Sequence, residues 1–479
     1  MSPPQRIHVL PAGDFTFEQG MVDIQRVLAL PQAFPPEVEA AAVRAAANPR
    51  LPELDRSDVA LVTIDPPGSM DLDQAMYLEH KGDGYRVYYA IADVAAFVTA
   101  GDPIDIEANR RGETLYGADS RITLHPAVLS EGAASLLPEQ LRPALLWMID
   151  LDGRGEIVAT DVRRARVRSR AKFDYPGVQQ RMDAGTAEPM WALLREIAGL
   201  RKQLEIARGG VSLALPAQEI GKKGDHWELA YRKMDPIEDW NAQISLLTGM
   251  AAAQLMLKGK VGLLRTLPPP APDAIARLRV TAQALDIVWP DAQSYPDFIR
   301  TLDPASPKHV AMMTSCTTVL RGAGYAAFNG ALPEQPLHSA IAAPYAHVTA
   351  PLRRLVDRYA GEVCLALCAE RPVPDWALAA LPGLPPTMHA SDHHAHQYER
   401  AIIDLVEALI LAHRVGETFA GNIISVAPSN SDDGTVMLCE LAIEARVTGS
   451  VALPLGADVT VKLVEADPSR RSTSFEIVG

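Results

Sequence analysis

The stretch Leu61-Val-Thr-Ile-Asp65-Pro-Pro-Gly-Ser-Met-Asp71-Leu-Asp73-Gln74 holds the side chains best suited to chemistry. A β-rich run delivers Asp65 at its end, and two prolines and a glycine then turn the chain. Asp71 and Asp73 return on alternate positions of an extended segment, where both face one side. Three carboxylates so arranged can converge on one point. Like charges held that close are costly unless a divalent cation neutralises them, and an all-oxygen ligand set suits Mg²⁺ or Mn²⁺. Asp is also favoured in turns for its own hydrogen bonds, so turn and cap aspartates stand as the alternative reading of this loop.

Other stretches offer chemistry of a different kind. A phosphatase that uses an aspartate nucleophile with a second Asp two residues later is excluded, because Pro67 occupies that place. Arg163 to Lys172 concentrates basic residues, and alternation at Arg164, Arg166, Arg168 and Arg170 would set four on one strand face as a track for phosphates, or as a solvated charge run. His389, His393, His394 and His396 lack an accompanying Cys or acidic cluster and read as an exposed helix start. Cys364 and Cys368, one helical turn apart, read as small core residues.

The elements that must position these groups are legible from periodicity. Val59 to Ile64, Tyr85 to Ile91 and Ala144 to Leu151 read as strands; Trp191 to Gly209, Pro236 to Lys258, Pro272 to Leu285 and Thr349 to Cys368 read as helices. Phe17 to Leu30 and Pro36 to Ala47 are helical in pattern. A Pro-rich break, Arg371 to Pro386, precedes a helix from Ser391 to Arg414. Beyond Gly416, five short strands (Thr418 to Val426, Thr435 to Leu438, Ile443 to Val447, Asp458 to Val464, Ser472 to Ile477) fit a small OB-type barrel. The expected class is α+β, with a small, mostly helical, helix-turn-helix-like domain over 1–57, a large mixed sheet and helix domain over 58–415, and the barrel over 416–479.

Composition bounds the function. With 479 residues, 48% of them hydrophobic, the chain can bury large cores. The longest apolar stretch, Ile244 to Leu257, falls short of the roughly 20 residues a bilayer requires, so no membrane role is expected. No basic segment followed by an apolar core opens the chain, and four cysteines without a paired framework point to a reducing cytoplasm. A formal charge of −14 argues against a general nucleic-acid coat, yet leaves room for an enzyme that threads one strand through a local groove.

The acidic loop resembles the ribonuclease II (RNB) family of 3′-to-5′ exoribonucleases. The likeness continues through Tyr89-Ala-Ile-Ala-Asp93-Val, Glu107-Ala-Asn-Arg-Arg-Gly112-Glu-Thr-Leu-Tyr116, His125-Pro-Ala-Val-Leu-Ser130-Glu-Gly, Ser135-Leu-Leu-Pro and Tyr345-Ala-His-Val-Thr-Ala-Pro351-Leu-Arg353-Arg354-Leu-Val-Asp357. The tail from Gly416 resembles the family's S1-type OB domain. The resemblance implies Mg²⁺-dependent hydrolysis of single-stranded RNA by a monomer, with release of 5′-mononucleotides. Asp65, Asp71 and Asp73 would hold the metal, and Arg353 would grip phosphate oxygens with Arg354 beside it on the RNA. Tyr116 would stack on bases, while Glu238 and Glu399 would contact sugars. A helix-start pair using Asp357 is the plainer reading of Arg353 and Arg354, and a surface or buried structural role that of the two glutamates.

Three departures accompany the resemblance. Gln74 stands where the pattern has a fourth acid; its carbonyl can still coordinate, which implies weaker Mg²⁺ binding or tolerance of Mn²⁺. Leu213 stands where a stacking Phe is often found. The segment before the catalytic domain is too short for two cold-shock domains. Two rival functions follow: a catalytically silent RNA-binding protein, and a metal-dependent phosphatase or DNA nuclease built on the same loop.

Overall fold

The computed structural model describes residues 7–9, 15–118, 120–213, 215, 218–223, 226–232 and 234–478. Its centre is a four-stranded antiparallel sheet in the order Gln74–Lys81, Gly84–Ala92, Leu141–Leu151, Ile157–Arg168. The second and third strands read as nearly continuous apolar runs because the sheet is covered on both faces. Val87, Tyr89, Ile91, Trp147 and Ile149 point into a core built with the helices Pro189–Arg208, Pro236–Gly259 and Leu355–Cys368. Tyr88, Ala90, Ala92, Ala144 and Leu146 point the other way, toward the helices Pro36–Ala47 and Pro103–Arg111.

Two expected elements are shorter than their patterns, for reasons that bear on the site. Of Val59 to Ile64 only Thr63–Asp65 is bounded as a strand, paired in parallel with Lys172–Asp174. The helix expected from Thr349 begins at Leu355, because Pro351 disfavours helical backbone just before it. Residues 349–354 therefore form an irregular turn with free amides to direct elsewhere. The opposite happens in the Pro-rich break, which contains the helix Asp375–Ala380 and the start of the long helix Leu384–Leu411. Pro385 and Pro386 are tolerated in that first turn, where no backbone N–H is needed.

The C-terminal region is a closed five-stranded barrel of Thr418–Ala427, Asn430–Leu438, Glu444–Thr448, Asp458–Asp467 and Ser472–Ile477. The N-terminal helices Phe17–Val27 and Pro36–Ala47 form as expected, but they enter different cores and do not make a helix-turn-helix pair. The first packs Phe17 on Trp227, ring centroids 4.6 Å apart, and Gly20 lies so close to the long helix that an added Cβ would sit 2.5 Å from Leu405. Strand Ile7–Val9 joins His226–Tyr231 and Gln218–Lys223 in a small sheet. Among the described residues, no helix is long and apolar enough to cross a membrane.

One buried carboxyl ties the barrel to this body. Glu407 on the long helix is 1% exposed and accepts from Gln218 Nε2 at 2.6 Å and from the Glu444 amide at 3.0 Å. Burial pushes its carboxyl up to about 7. Removing the acceptor leaves the half-buried Glu444 amide without this partner, at a cost of about 1 kcal/mol. Glu407→Ala is therefore expected to speed tryptic cleavage at Arg414, between the long helix and the first barrel strand, several-fold. Unchanged cleavage would remove Glu407 from the joint.

Candidate active site

Each carboxylate of the acidic loop is placed by a different device. Asp65 closes the short strand Thr63–Asp65, after which Gly68, at φ +82°, lets the chain turn. Ser135 then clips the returning segment from both sides: its Oγ donates to Met70 O at 2.6 Å and accepts from Leu72 N at 3.0 Å. Asp73 ends the segment buried, with Oδ1 accepting the Leu352 amide at 2.7 Å and Oδ2 lying 3.6 Å from Arg353 Nε. The turn 349–354 thus delivers both an amide and a guanidinium to one carboxylate.

The three aspartates are not equivalent. Asp71 is paired with Arg121 at 2.6 Å, and Arg121 also reaches Glu131 at 3.1 Å. Asp65 keeps a buried Oδ2 with no hydrogen-bond partner. Burial pushes its carboxyl up to about 7, against the pull of Arg353 and Lys172 and with Asp71 adding to the rise. Asp73 is pushed up to about 8 by burial, opposed by Arg353 and the Leu352 amide. The three line one cavity, as expected of carboxylates that can converge, although among the described residues no three His, Cys, Asp or Glu side chains are gathered closely enough to hold a metal as they stand. Arg121 is the cation that faces Asp71.

Gln74 opens the first strand of the central sheet, and its amide is spoken for at both ends. Its Oε1, the atom read as a ligand, accepts from Tyr89 OH at 2.7 Å; its Nε2 donates to Thr349 O at 2.6 Å.

Asp65, Asp71, Asp73, Gln74, Tyr116, Glu238 and Arg353 line one cavity of about 540 Å³. Tyr116, Arg353, Arg354 and Glu399 line a second of about 440 Å³. Tyr116, 48% exposed, and Arg353 belong to both, so they stand where the two adjoin. The two arginines divide in role. Arg354 makes two 2.9 Å bonds to Asp357, the helix-start pairing weighed above, whereas Arg353 turns to Asp73. Glu238 caps its own helix, accepting from Asp235 N at 3.0 Å, and is bonded by Arg232.

The basic stretch is not a phosphate track. Arg164 is bonded to Asp93 at 2.6 Å and to Glu362, Arg166 is paired with Asp55 at 3.3 Å, and Arg170 donates to Ser57 O at 2.8 Å. Ile157–Arg168 is the edge of the sheet, and its Arg164 and Arg166 close ion pairs with segments packed beside it. Leu213 lines neither cavity and packs against the core around Leu278 and Phe298. The four histidines are exposed along the long helix, and Cys364 is a buried free thiol. Sequence reasoning missed Arg121, Tyr89, Tyr175 and Asn241. Arg121 had a signal, since Leu115–Tyr116 and Arg121–Ile122 form a hairpin. The Asn241 to Tyr175 OH bond of 3.0 Å had none.

With this geometry in hand, comparison with known proteins is decisive: the RNB domain profile matches residues 54–367, and the RNase II-type exonuclease C-terminal S1 domain profile matches residues 417–478. The chain belongs to the RNB family. Ribonuclease R of Escherichia coli (strain K12) is 29% identical over 351 residues, covering 70% of this chain and 41% of that protein. The chain thus spans about two fifths of that relative's length. Among solved structures, Mycoplasma genitalium RNase R in complex with ribose methylated single-stranded RNA has a TM-score of 0.85 at 20% identity, covering 96% of this chain and 78% of that one. Yeast Ssd1, described as a pseudonuclease, has a TM-score of 0.68 at 16% identity, covering 90% and 55%.

The RNB acidic loop fits a divalent cation on its own chemistry. Hard carboxylate oxygens line the cavity, one buried oxygen of Asp65 has no partner, and burial favours the protonated forms of Asp65 and Asp73, whose protons a cation would displace. A testable pH dependence follows. Both groups ionise near the ordinary 3.8 when unfolded but only near 7 and 8 when folded, so above pH 4 the folded chain binds more protons. In EDTA, stability should therefore fall as pH rises from about 4 to about 8. Asp65→Asn should flatten that slope, and Mg²⁺ should raise the parent's Tm by about 2 °C or more at pH 8 and by less at pH 5. Identical pH slopes for parent and variant would refute the assignment of the buried charge.

Proposed function

We propose that this chain is a hydrolytic exoribonuclease that degrades single-stranded RNA from its 3′ end and releases 5′-mononucleotides. On this reading it works as a monomer in a reducing cytoplasm, with Mg²⁺ as its metal and Mn²⁺ as a substitute. The observation that carries the reading is the placement of Tyr116 and Arg353 on the border between the aspartate-lined cavity and the outer one. A stacking face and a planar cation at that border suit a strand whose last phosphate must stop beside the carboxylates.

A cation held by Asp65, Asp71 and Asp73 would neutralise charge at the scissile phosphate and supply a water of lowered pKa. Arg353 presents two parallel N–H donors to phosphate oxygens, and Asp73 beside it fixes the guanidinium. Tyr116 offers a π-face that every base can use, which suits digestion without sequence preference. Glu399, in the outer cavity, can accept from a ribose 2′-hydroxyl and so favour RNA over DNA. The engaged amide of Gln74 and the likeness to a pseudonuclease favour one second reading, an RNA-binding channel without hydrolysis.

A 5′-labelled single-stranded RNA, incubated with the protein in Mg²⁺ or EDTA beside the identical DNA, separates these readings. The proposal expects progressive 3′ shortening of RNA alone, only with metal; binding without shortening would support the silent channel. Asp73→Asn keeps the acceptor for Leu352 and removes the charge, so turnover should fall by about a thousandfold while RNA affinity stays within about threefold. Arg353→Lys should lower kcat by about 10–100-fold with a smaller change in affinity, because charge survives and the bidentate fork does not. An unchanged rate in the lysine variant would take Arg353 out of the reaction.

A further inference from the structure

We propose that Gln74 is a positioning residue and not a metal ligand: it latches the turn 349–354 to the central sheet, so that the Leu352 amide and Arg353 are held against Asp73. The inference deepens the exoribonuclease reading and rests on its pairing of Asp73 with Arg353.

The latch begins with Tyr89, which is 0% exposed and needs a partner for its hydroxyl. Gln74 Oε1 is that partner, at 2.7 Å. The other end of the amide lies 2.6 Å from Thr349 O. A carbonyl oxygen can only accept, so this neighbour decides which way the amide points: Nε2 to Thr349, Oε1 to Tyr89. A flipped amide would set two oxygens against each other.

Thr349 is held a second time through its hydroxyl, 2.9 Å from Ser245 Oγ on the helix Pro236–Gly259. Asp357 Oδ1 accepts the next amide, Ala350 N, at 2.7 Å. The turn is therefore pinned at its start from three directions, and two residues later it presents Leu352 N to Asp73. Gln74 and Asp73 are adjacent, so the residue that anchors the turn and the residue that receives it are neighbours on one strand end.

The chemistry of the latch reverses the expectation drawn for position 74 from its type alone. A carboxylate there could still accept from Tyr89 but could not donate to Thr349 O. Adding charge would break the latch, and the lost amide of Gln74 would be felt at Arg353.

Two measurements on the full chain test this. Hydrogen exchange of metal-free, RNA-free protein should show peptides covering 349–354 exchanging about tenfold faster in Gln74→Glu, and faster to a lesser degree in Tyr89→Phe, with barrel peptides 418–477 unchanged. Uniformly faster exchange in both variants would mean general destabilisation and would overturn the latch, as would no change at 349–354. In kinetics, Gln74→Glu should lower kcat about tenfold with the KM for RNA and the half-saturating Mg²⁺ concentration within about threefold of the parent. In an Arg353→Ala background it should cost less than in the parent, because part of its effect passes through Arg353. A lower half-saturating Mg²⁺ with higher kcat would make position 74 a ligand site and refute the proposal. If the parent hydrolyses no RNA, the exoribonuclease reading fails, while the exchange data still decide for or against the latch.

Discussion

Asp73 accepts the amide of Leu352 across 279 residues of chain, and the site is organised around that contact. Burial drives Asp73 toward its neutral form, and a backbone amide and a guanidinium from the same turn oppose that drive. Pro351 keeps the turn out of the following helix, which frees the amide; the helix then starts with Arg354 satisfied by Asp357. Burial of Asp73, the irregularity at 349–354 and the late start of that helix are thus one arrangement seen from three sides.

The central sheet was legible because its pattern and its environment agree. Tyr85 to Ile91 and Ala144 to Leu151 are long apolar runs, and a sheet covered on both faces rewards such runs. The barrel was equally readable from short strands spaced by turn residues. What misled the reading was chemistry that depends on a partner far along the chain. Arg164 and Arg166 alternate as a phosphate track would, but Asp93, Glu362 and Asp55 had to be brought beside them before the charges could be assigned.

The same limit governs the site residues. Asp65, Asp71, Asp73, Tyr116 and Arg353 share one cavity wall, as their grouping in motifs implies. Yet sequence could not tell that Asp71 would be matched by Arg121, nor that Gln74 would be bonded at both ends of its amide. Glu238 is instructive in another way: Asp235-Pro-Ile-Glu238 spells a helix cap in plain sequence, and the glutamate does carry out that local duty.

The doubly covered strand Gly84–Ala92 sets where this protein is free to drift. Its side chains alternate between two interiors, so neither register of the strand offers a wet face on which a polar replacement could go unnoticed. Variation is pushed outward to partners on short peripheral elements, such as Arg121 and Glu131, whose exchange alters the charge around the aspartates while leaving the interior intact. Diversification among chains of this architecture is therefore expected at the rim, with the frame inherited nearly whole.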